Sequence, residues 1–449
     1  MIKNALAALS VAVVLAFCFI QADAQSKTPV IVIPGITGSE LINHRTGEVV
    51  WFKAPRSKDD DLRLPINADP TRSRDNLVAG DILRKIKFGI FPVINPYDGL
   101  IKSFENTGGY HEESWDQPSK RGGDSALYVF AYDWRLDNVG NARLLIRKIE
   151  RLRLKLKQPK LKFNVVGHSM GGIIARYAAM YGTADLPATE KKPLPTWAGA
   201  KYFDKLVMLG TPNEGSALAL NSLVNGVSIG GLNINLPWVQ NLTKFDLFTL
   251  PSIYQLLPAP GTLRAFDADL KPVAIDLYDT REWSKYGWNA TDDRKFDKNF
   301  SPADRRSAKR YFAAALDRAR RLGLAMAVAA TPPAGLEIGI VGSGCKESLD
   351  AIVVIQDPKS TEWKTLFKPS GFTRANGEKV SSDQLKTIMF APGDGTVTLR
   401  SLESRSASIT TGAAPSLNAA IAGCSEHNEL GANADIQARI LAIFAGRKL

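Results

Sequence analysis

The sequence is short of cysteine, of histidine and of long apolar runs. Three cysteines occur in 449 residues, Cys18, Cys345 and Cys424, and no pair of them has zinc-finger spacing. Histidine occurs four times, as His44, His111, His168 and His427, so a histidine base is confined to four positions. No internal repeat and no long low-complexity tract interrupts the chain. One strongly apolar window is present, at the very start. Apolar residues make up 45% and charged residues 23%, the balance of a globular protein rather than a disordered or membrane-embedded one. Acidic residues are the minority charge, 45 against 57 basic, for a net +12.

The apolar window has the layout of an export signal. Lys3 supplies a positive start, Ala5 to Ile20 an apolar stretch, and Ala22-Asp23-Ala24 small residues at the cleavage positions. Residues 1–24 are therefore expected to be a signal peptide, cut before Gln25, and the protein to be secreted or periplasmic. Phe17 is too bulky before Cys18 for a lipid-attachment box, and an uncleaved anchor is the alternative. Two cysteines then remain. In an oxidising compartment Cys345 and Cys424 can form one bridge or stay as two separate thiols.

The positive charge gathers in "RLLIRKIERLRLKLKQPKLK" and "DRRSAKRYFAAALDRARR". Leu145, Ile149, Leu152 and Leu156 follow helical spacing and leave the basic residues on the far side. A solvated outer face explains this first, and attraction to an anionic lipid surface second. Nucleic acid is not expected, because no aromatic-basic recognition stretch accompanies the charge.

Short β-rich runs alternate with helical patterns. "PVIVIPG", "ALYVFAYDWR", "KFNVVG" and "KLVMLGTP" read as strands, Asn141–Lys157 and Ile173–Met180 as helices. "LEIGIVGSG" and "AIVVIQD" add later strands, and Ala434–Phe444 a closing helix. This rhythm predicts an α/β fold with a mostly parallel sheet flanked by helices. Between about 215 and 334 the rhythm breaks, which predicts an insertion over the ligand-binding edge of a single domain spanning residues 25–449.

In "NVVGHSMGGIIARY" a serine, Ser169, stands between a strand and a helix in a G-x-S-x-G setting. Such a turn projects the hydroxyl above the sheet and needs glycines where side chains would clash. Serine requires a base. With the order nucleophile, acid, histidine, only His427 lies downstream, whereas His168 adjoins the serine and should point elsewhere. Asp394, on the glycine-rich "FAPGDGTV" loop after the β-rich "TIMF", is the first choice for the acid, and Asp350 and Asp357 are alternatives. The oxyanion donors expected are the N–H groups of Met170 and, in "IPGITGS", of Thr37, with Ile36 next.

Taken in order, "PVIVIPGITGSEL", "AYDWR", "GHSMGG", "LGTPNEGS", "PSIYQLLP", "GDGTV" followed by "RS", and the final histidine resemble the lecithin:cholesterol acyltransferase and lysosomal phospholipase family of α/β-hydrolases. These pieces run from Pro29 to His427. The resemblance implies an α/β-hydrolase fold with a cap and lid within 215–334, no metal and no cofactor. It implies a phospholipid or other lipid ester as substrate, peripheral contact with a lipid surface, and an acyl-enzyme on Ser169 that passes to water or to an alcohol acceptor. It also places the acid on Asp394 and the oxyanion donors on Thr37 and Met170, and makes Asp133 and Arg135 structural. Mammalian members close an N-terminal lid with a disulfide, whereas residues 45–80 here hold no cysteine. Two other readings stand beside this one: a general secreted lipase or carboxylesterase, and an inactive hydrolase homologue that binds lipid.

Overall fold

A computed structural model describes residues 27–53, 61–85, 97–188, 191–227, 242–357, 359–404 and 418–447. The expected signal peptide, residues 1–24, lies outside the described residues.

Seven short strands form one sheet. They are β1 (Val30–Ile33), β2 (His111–Glu112), β3 (Ala126–Val129), β4 (Phe163–His168), β5 (Phe203–Leu209), β6 (Glu337–Gly342) and β7 (Asn418–Ile421). Their order is β7-β6-β5-β4-β1-β3-β2, and every pairing is parallel. The central strands "VIVI" and "FNVVGH" are buried at every position, as a parallel sheet covered on both faces requires. Alternation along β1 divides its residues between two cores. Ile31 and Ile33 face one side with α1 (Asn138–Leu156) and α2 (Met170–Tyr181). Val30 and Val32 face the other, where Ile436, Ile440 and Phe444 of the closing helix pack.

The order places the site. β1 has β3 on one side and β4 on the other, so the winding direction of the chain reverses between β1 and β4. Loops leaving the carboxyl ends of strands at such a switch diverge and open a crevice. The loops after β1 and β4 are the two already singled out, "IPGITGS" and the Ser169 turn.

Several elements differ from expectation. The helix expected from Asn141 starts at Asn138, because the Asp137 carboxylate caps it by accepting from the Gly140 N–H at 2.9 Å. "TIMF" is mostly not strand. Ser382–Met389 is a helix opened by a Ser381/Gln384 capping box, with Leu385 and Met389 buried on one face, and the strand begins only at Phe390. "AIVVIQD" forms a strand, Ala351–Gln356, outside the parallel sheet. It pairs with Trp363–Leu366 and with Arg264–Phe266, which lies in the long excursion between β5 and β6. Among its described residues that excursion holds helices and this one strand, and none of these joins the seven-stranded sheet.

The two basic stretches sit at different ends. α1 runs antiparallel to the strands, so its exposed Arg147, Arg151 and Lys155 lie towards the edge remote from Ser169. The second forms α3 (Pro302–Met326). Its Arg318 pairs with Asp137 at 2.7 Å, at the start of α1 on the Ser169 edge. Exposed Arg306, Lys309 and Arg310 then lie roughly 12–18 Å further out along the helix. Among the described residues no helix is long and apolar enough to cross a membrane.

The "DWR" string is a clamp. Arg135 is fully buried and grips both Asp133 (3.0 and 2.8 Å) and Asp75 (2.6 and 2.8 Å), with a further contact to the Leu62 carbonyl at 3.3 Å. It ties the segment around residues 62–75 to the chain leaving β3. Replacing it by methionine would leave two carboxylates without their cation. Arg135→Met is expected to cost about 3–5 kcal/mol, measured by urea denaturation, with Asp69→Asn on the same segment as a nearly silent control.

Candidate active site

Ser169 occupies the single residue between β4 and α2 with φ 53° and ψ −125°, a backbone that L-residues seldom adopt. The flanking glycines are required by closeness. A Cβ on Gly167 would lie 2.7 Å from the Gly171 carbonyl oxygen, and one on Gly171 2.5 Å from that of Pro34. Strand, helix and preceding loop are thus packed backbone to backbone around the serine.

His427 opens a short turn, His427–Ala432, and its ring bridges two other segments. Nε2 is 2.9 Å from Ser169 Oγ and Nδ1 is 2.7 Å from Asp394 Oδ2. Oδ1 of Asp394 accepts from the N–H groups of Thr396 at 3.0 Å and Val397 at 2.7 Å. Burial would raise the Asp394 carboxyl, but the adjacent His427 and these N–H groups hold it below the usual carboxylate range. An ionised Asp394 can only accept, so Nδ1 carries the proton and the Nε2 lone pair faces the serine hydroxyl. All three side chains are buried. The main chains are locked as well, His427 N–H donating to the Asp394 carbonyl at 2.9 Å. Three residues before His427, Cys424 is joined to Cys345, which settles the open question of the two thiols.

The alternative acids lie elsewhere. Asp350 is buried between Arg264 and Arg400, and Asp357 accepts from Lys359 and Ser360 N–H groups in an exposed turn. Neither is bonded to His427.

After β1, a turn closed by Gly38 N–H to the Gly35 carbonyl at 3.1 Å has Ile36 and Thr37 at its centre. Thr37 has φ 62°, and its carbonyl accepts from the Trp51 indole at 2.9 Å. The turn lies against the elbow, since a Cβ on Gly35 would be 2.8 Å from Ser169 Cβ. Gly35 N–H is engaged by the Tyr97 hydroxyl at 2.7 Å. The N–H groups of Ile36 and Thr37 have no partner among the described residues. Met170 N–H, first in its helix, lacks an intrahelical acceptor for geometric reasons. No group of three potential metal ligands occurs among the described residues.

The His168 ring points away from the serine, as expected, towards Tyr97 and the His427 carbonyl. Tyr97 gave no signal in the sequence, because it stands 71 residues from its partner in a segment without motif.

Residues 122–320 match the family model described as lecithin:cholesterol acyltransferase. Over those residues the chain is similar to that family. The matched span contains Ser169, while Thr37, Asp394 and His427 lie outside it. The structure is also similar to a chain in the crystal structure of the Tle4-Tli4 complex, with a TM-score of 0.53 at 15% identity over 93% of this chain and 98% of that one. At that identity the likeness is one of fold, the α/β-hydrolase fold. No curated protein matches the chain. The likeness to the lecithin:cholesterol acyltransferase family supports a lipid acyl-ester enzyme in general terms, a hydrolase or acyltransferase.

Burial, with the His427 imidazole close by, lowers the pKa of His168 from 6.5 to about 3. Between those values the unfolded chain binds a proton that the folded one refuses, so stability is full above pH 6.5 and is lost as pH falls towards 3. Wild type is expected to lose a few kcal/mol more than His168→Gln over that interval, read from urea midpoints at successive pH values.

Proposed function

We propose that the protein transfers acyl groups from a lipid ester through a covalent intermediate on Ser169. The observation that carries this reading is the His427 ring, within hydrogen-bonding distance of Ser169 Oγ on one side and of Asp394 on the other. His427 Nε2 takes the hydroxyl proton as Oγ bonds to the ester carbonyl carbon, and the carbonyl oxygen becomes the oxyanion. Met170 N–H and one from the turn after β1, Thr37 or Ile36, are assigned to that charge. Losing one such donor typically costs about 3 kcal/mol. As the ester C–O bond breaks, His427 returns the proton to the leaving alcohol, and the acyl group stays on Ser169. Water or a second alcohol then gives its proton to His427 and attacks the acyl carbon, the C–Oγ bond breaks, and His427 returns the proton to Ser169 Oγ.

We assign the excursion of about 215–334 to a cap over this site within a single domain. Its tie to β-strand 351–356 adds a piece of chain that the sequence reading did not include. Whether hydrolysis or transfer dominates depends on how far the cap excludes water and holds an acceptor. Export to a periplasm or the cell exterior is supported by the N-terminal apolar run and by the Cys345–Cys424 bridge. For peripheral contact with an anionic lipid surface, the end of α3 is the better candidate of the two basic stretches, because α1 presents its charge at the edge remote from Ser169.

Two measurements test these assignments. With labelled phospholipid, with or without a long-chain alcohol, wild type should release the acyl group to water or to the alcohol, and Ser169→Ala should lose at least about 10³ of the rate. Label solely in free fatty acid makes the enzyme a phospholipase or lipase. Binding without turnover, equal in both proteins, would support the inactive homologue. Separately, Arg306→Glu/Lys309→Glu/Arg310→Glu should weaken sedimentation with phosphatidylserine vesicles severalfold, whereas Arg147→Glu/Arg151→Glu/Lys155→Glu should leave it near wild type.

A further inference from the structure

A second hydrogen-bonded chain runs beside the first. Gly35 N–H approaches the Tyr97 hydroxyl at 2.7 Å, that hydroxyl approaches His168 Nδ1 at 2.8 Å, and His168 Nε2 approaches the His427 carbonyl at 3.0 Å. We propose that Tyr97 and His168 are positioning residues, which hold the turn after β1 and the main chain of His427 in one register. The proposal rests on the reading of Ser169 as nucleophile.

The direction of every bond in this chain follows from its ends. A carbonyl only accepts, so Nε2 of His168 carries the hydrogen. Nδ1 is then an acceptor, and its donor is the Tyr97 hydroxyl, which leaves an oxygen lone pair for Gly35 N–H. Each group is satisfied once, and both side chains are buried. Adding a proton to His168 would leave either that proton or the tyrosine hydrogen without an acceptor. The low pKa of His168 and the burial-raised pKa of Tyr97 agree with both groups staying neutral.

The ends of the chain give it consequence. Gly35 is the residue whose Cβ position abuts Ser169 Cβ, and it opens the turn centred on Ile36 and Thr37. His427 sits on a short turn with no strand to stiffen it. Its two ring nitrogens are held by Ser169 and Asp394 and its N–H by the Asp394 carbonyl, and His168 adds a side-chain tether on its carbonyl. Slack anywhere in the chain reaches both the oxyanion turn and the base.

The test is steady-state turnover of a p-nitrophenyl ester by wild type, Tyr97→Phe, His168→Gln and the double variant, with a melting curve for each and Ser169→Ala as reference. Each single change is expected to lower kcat about ten- to a hundredfold, below the cost of deleting an oxyanion donor outright, with KM within about twofold of wild type. The double variant should be no worse than the poorer single, because one chain is being broken twice. A lowered Tm with wild-type kcat per folded molecule overturns the proposal, as do losses that multiply in the double variant. If His168→Gln does not fold, Tyr97→Phe, which deletes a single oxygen, decides through its kcat and KM alone. Turnover by Ser169→Ala at the wild-type rate would overturn the nucleophile reading itself, and this proposal with it.

Discussion

Holding Ser169 at φ 53° and ψ −125° is the constraint on which the surrounding structure is built. Such a backbone costs on the order of 1–3 kcal/mol and persists only where its surroundings over-determine it. Here the determination is literal. The strand before it is buried at all six positions and the helix after it at all twelve, so neither can rotate to relax the turn. The close approach of the Pro34 carbonyl to Gly171 fixes the neighbouring loop by the same packing. The serine and the turn after β1 are therefore positioned by one act of folding, where the winding reverses between β1 and β4.

The residues proposed as base and acid arrive by a different route. Asp394 directly follows the short strand Phe390–Gly393 and His427 opens a single short helical turn, so the seven-stranded sheet orients neither. Discrete bonds do so instead: the Thr396 and Val397 N–H groups on the Asp394 carboxylate, the paired main chains of the two residues, and the Cys345–Cys424 bridge just upstream of the histidine. A buried polar network of this kind is stabilising only when every member is satisfied. That condition explains why the acid loop is rich in glycine. A Cβ on Gly393 would press into the Val397 carbonyl and Ser348 Oγ, both of which hold the loop.

What the sequence disclosed divides along the same line. Short-range features were legible. Strands with continuous apolar runs, the glycine-flanked serine and the closing helix Ala434–Phe444 all fall where residue spacing puts them, because each depends on neighbours in the chain. Asp394 and His427 could be proposed by order and elimination, but their meeting depends on contacts 33 and 258 residues apart. The distant partners of Arg135 and His168 were illegible, since Asp75 and Tyr97 belong to no motif. "TIMF" was misread because its residues favour a strand, and the capping box at Ser381 and the buried pair Leu385 and Met389 outweigh that preference.

Asp350 shows how a rejected candidate acquires a role. It falls between serine and histidine in sequence, as an acid should, yet it is buried against Arg264 of the excursion and Arg400 of the helix that follows the acid loop. One carboxylate thereby joins the excursion to the residues after Asp394. A second tie, Arg318 to Asp137, joins α3 to the start of α1. Breaking a buried pair by separating its partners typically costs about 3–5 kcal/mol, and part of Arg264 is exposed, which reduces the cost there. Two such ties make rigid-body lifting of the whole excursion expensive. If the excursion is the cap proposed above, an opening that leaves these ties intact occurs in segments that do not carry them. The same carboxylate anchors both the excursion, through Arg264, and the helix that follows the acid loop, through Arg400.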